Sequence, residues 1–316
     1  MRDLVFNDAC LDVPFATVGH AVAATSRCIK GIKNLIADDV VRRAIRLPGN
    51  AHDIKLGNQF SLFDVVVAIL KQPELKDHGS LFLSLLQLTP IDVGVSDETI
   101  NQMLACKIQD KPNWWGLLLC ALSNGVAVSI DPNDAWDFNT IELSLQYFDA
   151  SGSSVTKKET IDHLSKEGHA APIVQRHKKK LGKALKQDQF WDQKDHLFPS
   201  LLFGLDVRDH IKGLGPEPFS AAIDRLFELD ASSNRWNKAR EAKPKYASKV
   251  SGESRKTMQQ YGEFRIFRNS EGKNSTFELH ARIADGHRIH IIEHEVRRQI
   301  EVGYIGHHLP TAKYPD

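Results

Sequence analysis

Residues 277–294 read FELHARIADGHRIHIIEH, and their alternation decides how the C-terminal part of the chain folds. Phe277, Leu279, Ala281 and Ile283 fall on one side of a period of two, and Glu278, His280 and Arg282 on the other. In the second half Ile289 and Ile291 share a side, opposite Arg288, His290 and Ile292. Period-two patterning predicts strands, and Ala284-Asp285-Gly286 supplies the turn between them. Closed as a hairpin, the two strands bring His280, Arg282, Arg288 and His290 onto one face. Outward from this hairpin, the last part of the chain reads as four strands, Glu263–Arg268, Thr276–Ile283, Arg288–Glu293 and Gln299–Ile305, forming a small antiparallel sheet.

The rest of the chain reads mostly as helix. Residues 2–7 suggest a short strand, and Thr17–Ile45 carries apolar residues at three- and four-residue spacing up to the stop at Leu47-Pro48-Gly49-Asn50. Phe60–Leu70 and Ser80–Leu88 predict two helices, the second ending before Pro90, and Ser96 opens another. Alternation at Val126, Val128 and Ile130, and at Ile141, Leu143 and Leu145, predicts strands. The small polar run at 150–154 suggests a boundary. Beyond it come expected helices at Lys157–Lys166, Ile173–Gln187 and Phe219–Leu229, and one more closed by Pro244. The expected class is α+β. Three regions follow: a mainly helical acidic domain at 1–150, a basic helical linker at 151–231, and a basic α+β domain at 232–316.

Composition excludes several classes. With 41% hydrophobic residues in a chain of 316, there is enough apolar surface for a core, so disorder is excluded. The 4 cysteines, Cys10, Cys28, Cys106 and Cys120, have no C-x-x-C spacing and read as buried small hydrophobes in a reducing compartment. The longest apolar runs, Leu62–Leu70 and Trp114–Leu122, are short of the ~20 residues that span a bilayer. The expectation is a cytoplasmic protein with no membrane contact.

The formal charge of +1 is a cancellation. Residues 232–316 hold 16 Lys and Arg against 10 Asp and Glu, and residues 155–195 hold 10 against 6, so the remainder is acidic. A basic back suggests a polyanion, RNA or DNA, and an acidic front suggests a protein partner. On the helix near Ile173–Gln187, Arg176, Lys179, Lys180, Lys183 and Lys186 are spaced to meet successive phosphates, while positions 173, 177, 181 and 185 share a face. With the helix expected before it, this segment loosely resembles a helix-turn-helix; a solvated amphipathic helix is the alternative.

Six of the 14 histidines fall between 280 and 308. Imidazole exchanges protons near neutrality, and guanidinium grips phosphate with a fork of donors. Together these groups suit cleavage of RNA without a metal. A polar solvated strand face and a metal site are the alternatives, and the latter lacks H-E-x-x-H spacing. Asp131, Asp134 and Asp137 read as a loop near Trp136 rather than a calcium site. No phosphate-binding, dinucleotide or serine-hydrolase motif is present.

Phe277–Arg282, Gly286–Ile291 and Ile300–His308 resemble the terminal sheet of RelE/HigB-type mRNA interferase toxins. The resemblance implies Arg282, Arg288, Tyr304, His307 and His308 as working residues, to which strand alternation adds His280 and His290. A helical front with a basic sheet behind also resembles bacterial phage-defence effectors in architecture. The expectation is a bacterial nucleic-acid-acting protein needing no cofactor, either a toxin-like endoribonuclease with His290 or His308 as acid and base, or a non-catalytic nucleic-acid-binding or protein-interaction subunit.

Overall fold

The computed structural model describes residues 1–86, 95–108, 114–148, 153–284 and 286–315. The expected stop at Pro90, the boundary residues 150–152 and Asp285 of the hairpin turn lie outside them. The protein is α+β, and it divides into two compact units, Met1–His177 and Lys178–Asp316.

The first unit is built on β1 (Arg2–Phe6), whose Leu4, Val5 and Phe6 are all fully buried. Such a continuous apolar run belongs in the middle of a parallel sheet covered on both faces. It continues into α1 (Val18–Ala37), β2 (Val41–Arg46), the small ribbon of β3 (Lys55–Gly57) and β4 (Phe60–Ser61), α2 (Leu62–Leu70), α3 (Lys76–Leu86) and α4 (Asp97–Ala105). Then come β5 (Cys106–Ile108), α5 (Trp115–Ser123), β6 (Val126–Val128), β7 (Thr140–Phe148), β8 (Ser154–Leu164) and α6 (Ala170–Ala184), which runs on into the second unit. The sheet order is β2-β1-β6-β8-β7-β5, with the first four strands parallel. Leu4, Phe6 and Val128 pack with α1 and α2, while Val5 and Ala127 pack with α5 on the opposite face.

Several expectations change here. The long first helix ends at Ala37, where Asp39 takes a left-handed φ of 53° and lets the chain reverse into β2. Lys157–Lys166 is not a helix: its charged residues lie on β8, which pairs antiparallel with β7 from Thr140↔Asp162 to Phe148↔Ser154. Strand pairing outweighs the helix propensity of Lys and Glu. The strands that precede and follow the expected boundary pair with each other, and the chain divides into its two compact units at 177/178. The helix-turn-helix loses its first helix, and the helices of the front part, which are its main content, pack around a six-stranded sheet.

The second unit holds α7 (Gln187–Leu197), β9 (Leu201–Phe203), α8 (Val207–Lys212) and α9 (Pro216–Ala239). The last of these absorbs both of the helices expected before Pro244. Then follow β10 (Val250–Gly252), α10 (Arg255–Tyr261), β11 (Ile266–Arg268), β12 (Asn274–Thr276), β13 (Leu279–Arg282), β14 (His287–His294) and β15 (Gln299–His307). The sheet order is β10-β13-β14-β15-β9, antiparallel except for β15 with β9. Ala281, Ile289, Ile291, Val302 and Ile305 pack against α7, α8 and α9, burying Phe190, Phe198 and Trp236. The opposite face carries the polar residues.

One irregularity sets that face. His290 pairs with Tyr304 but Ile291 pairs with Val302, so Gly303 is an extra, unpaired residue on β15. A bulge of this kind re-aims side chains and is frequent beside active sites. Val302 and Tyr304 consequently face opposite sides. Only glycine fits, because a Cβ at 303 would lie 2.5 Å from the Phe277 ring.

Candidate active site

The hairpin predicted from alternation is present. His280 stands directly opposite His290, and Arg282 opposite Arg288. The first row extends through Ser251 on β10 and Tyr304 on β15. The His280 and His290 rings are 5.6 Å apart, and His290 and Tyr304 are 5.8 Å apart. His308 joins the same cluster just past β15, where its backbone N–H donates to the Gly286 carbonyl. It shares the electrostatic field of Arg288, Arg282 and Glu253.

Of the seven residues singled out as catalytic, His280, Arg282, Arg288, His290, Tyr304 and His308 fall on this side. His307 does not. It pairs with His287 on the other side of the sheet, their rings 4.0 Å apart. Burial divides the six further. His290 is 1% exposed, and its Nδ1–H donates to the Phe277 carbonyl at 3.0 Å. Burial drives its pKa down to about 3, so it stays neutral and out of reach of a substrate in solvent. It is a wall of the site and not the acid or base expected of it. His280 and His308 are also lowered, chiefly by burial, but both keep part of their surface open. Burial and the neighbouring Arg282 depress Arg288, while burial raises Tyr304, whose hydroxyl donates to the His307 carbonyl.

The cations here are poorly neutralised. Among the described residues no ion pair joins Arg282 or Arg288 to a carboxylate, and the Arg288 Nε is buried without a hydrogen-bond partner. Glu253, whose charge acts on His280, Arg288 and His308, is engaged elsewhere: its Oε1 accepts from Arg265 Nη2 at 2.9 Å and Nε at 3.3 Å. Arg265 is fully buried and also donates to the carbonyls of Tyr261 and Pro310. Sequence reasoning missed both residues. Glu253 sits just before Ser254, which caps α10, and so reads as helix-start chemistry.

The basic helix behaves differently from expectation. Arg176 is part of the fold of the first unit, donating to Asp162 Oδ1 at 2.6 Å and to the Asn139 side-chain and main-chain oxygens. Lys179 lies 3.6 Å from Asp224. Lys180, Lys183 and Lys186 are exposed. The buried face turns through Gly182, against Ile223 and Phe227, and leaves Leu181 exposed.

Two other polar constellations are present. In the first unit, Asn7 donates to Ser129, Ser129 Oγ–H donates to His163 Nε2 at 2.8 Å, and His163 Nδ1–H donates to the Phe138 carbonyl at 2.6 Å. All three side chains are fully buried, so the chain is a satisfied core network at the carboxyl ends of β1 and β6. In the second unit a cavity of about 410 Å³ adjoins His294, whose Nε2 donates to the buried Glu301 at 2.6 Å. Among the described residues no group of three or more acidic, His or Cys side chains is arranged to hold a metal, the four cysteines are free and buried, and Asp131 caps the loop at Trp136. No helix among them is long and apolar enough to cross a membrane. No family model, curated protein or solved structure matches the chain.

Proposed function

We infer that the polar face of the C-terminal sheet binds the phosphates of a nucleic-acid strand, and that with RNA it supports metal-independent cleavage. The observation that carries this reading is the pair Arg282 and Arg288, opposed on neighbouring strands, without a carboxylate ion-pair partner among the described residues and flanked by the part-exposed imidazoles of His280 and His308. In such a reaction one neutral imidazole takes the proton of the 2′-hydroxyl, and the 2′-oxygen attacks phosphorus. The bond to the 5′-oxygen breaks, and the second imidazole, protonated, gives that oxygen its proton. Both imidazoles are depressed at rest, and an arriving phosphate raises the nearer one, supplying the acid. The two guanidiniums match the negative charge that builds on the phosphorus oxygens.

The test is incubation with total RNA in excess chelator. Cleavage is expected to persist, to fall at least ~100-fold in His280→Ala and His308→Ala, and to be unchanged in His307→Ala, on the other side of the sheet. Activity abolished by chelator, or lost equally in all three variants, overturns the reading. Only 15% of the His280 side chain is exposed, which favours a second reading, binding without cleavage. Salt-sensitive RNA binding with no product under any condition would establish it.

A further inference from the structure

The imidazole of His280 has one edge turned inward. Its Nδ1 is buried without a hydrogen-bond partner and faces Glu253 Oε1 at 3.6 Å. Glu253 is held at both its backbone and its carboxylate. Its backbone N–H donates to the Glu278 carbonyl, its carboxylate is gripped by Arg265, and Arg265 is itself pinned by two carbonyls. The Glu253 side chain is 8% exposed and that of Arg265 fully buried, so this support is fixed before any ligand arrives. A base whose far nitrogen faces an oriented carboxylate is the arrangement that fixes a histidine tautomer in nucleophilic and acid–base sites.

We propose that Glu253 is a positioning residue for His280: fixed by Arg265, its carboxylate turns the Nδ1–H edge inward and presents Nε2 to the phosphate bound by Arg282 and Arg288. The proposal rests on reading this face as the phosphate site. The distance of 3.6 Å is longer than a hydrogen bond, and a small rotation of the ring closes it when the imidazole becomes positive. The other charged or titratable groups around His280 are Arg265 from the turn after α10, Arg288 and His290 from β14, and His308. All but His290 are cationic or become so, and among the described residues Glu253 is the acid whose charge favours a protonated His280.

The experiment is long-range ¹H–¹⁵N spectroscopy of the histidines in the full chain, wild type and Glu253→Gln, with RNA cleavage followed in parallel. In the wild type His280 is expected as the Nδ1–H tautomer. In Glu253→Gln its titration midpoint falls, the acidic limb of the pH–rate profile moves down with it, and kcat drops about 100-fold with KM within about twofold. A wild-type His280 in the Nε2–H tautomer overturns the proposal, and so does an unchanged midpoint in the variant. The wild-type spectrum decides even where the variant fails to fold. RNA left intact by the wild type would defeat the cleavage reading alone, because the spectra still report on Glu253 and His280.

Discussion

His290 shows how burial changes what a residue can do. From alternation it is indistinguishable from His280, since both face the same way on paired strands. What separates them is the layer above the sheet, where the Phe277 carbonyl takes the His290 Nδ1–H and the residue is left 1% exposed. Period-two counting reports direction and says nothing of what lies overhead. The same limit hid Glu253 and Arg265, which reach the site from a helix cap and a turn. Burial of a neutral His290 has a consequence for stability. Its pKa is about 3 in the fold against an ordinary 6.5, so the folded state binds fewer protons. The stabilisation is complete above pH ~6.5 and is lost as pH falls toward the folded value. Between pH 7 and 5 the wild type is expected to lose about 2 kcal/mol more than His290→Gln in urea unfolding. Equal losses would show that His290 is protonated at little cost.

Elements were legible where periodicity and burial agree. β1, α2, β6, β13 and β14 all carry their pattern openly. β8 did not, because its first half is exposed and rich in Lys and Glu, and only its pairing with β7 makes it a strand. The bulge in β15 was equally hidden, since an unpaired residue leaves no mark on composition. Its tight seat is testable. Gly303→Ala places a methyl against the Phe277 ring and is expected to cost about 1–3 kcal/mol in denaturant unfolding. Its effect on cleavage should exceed that of a surface change of equal size, because Phe277 also supplies the carbonyl that holds His290. A neutral substitution would mean that the ring moves aside freely.

Over the whole molecule the neutral charge conceals two different bodies. Residues 178–316 carry 25 Lys and Arg against 19 Asp and Glu, and residues 1–177 carry 16 against 21. The asymmetry seen in the sequence thus follows the structural division, although the boundary was expected elsewhere. If the exposed end of α6 extends the phosphate-binding track, replacing Lys183 and Lys186 with Gln lowers the slope of log affinity against log salt by about 2, and Arg282→Gln lowers it by about 1. Slopes unchanged by the lysine pair would confine RNA to the sheet face. The unpaired Gly303 also divides the second unit mechanically. β9 pairs only with residues 300–302, upstream of it, whereas Tyr304 and the strand end leading to His308 lie downstream, laddered to β14. β15 is therefore two short levers meeting at a joint. The upstream one carries β9, the downstream one carries Tyr304 and the chain leading to His308, and both stay laddered to β14, so the bulge turns Tyr304 to the polar side while Val302 and Ile305 remain in the core.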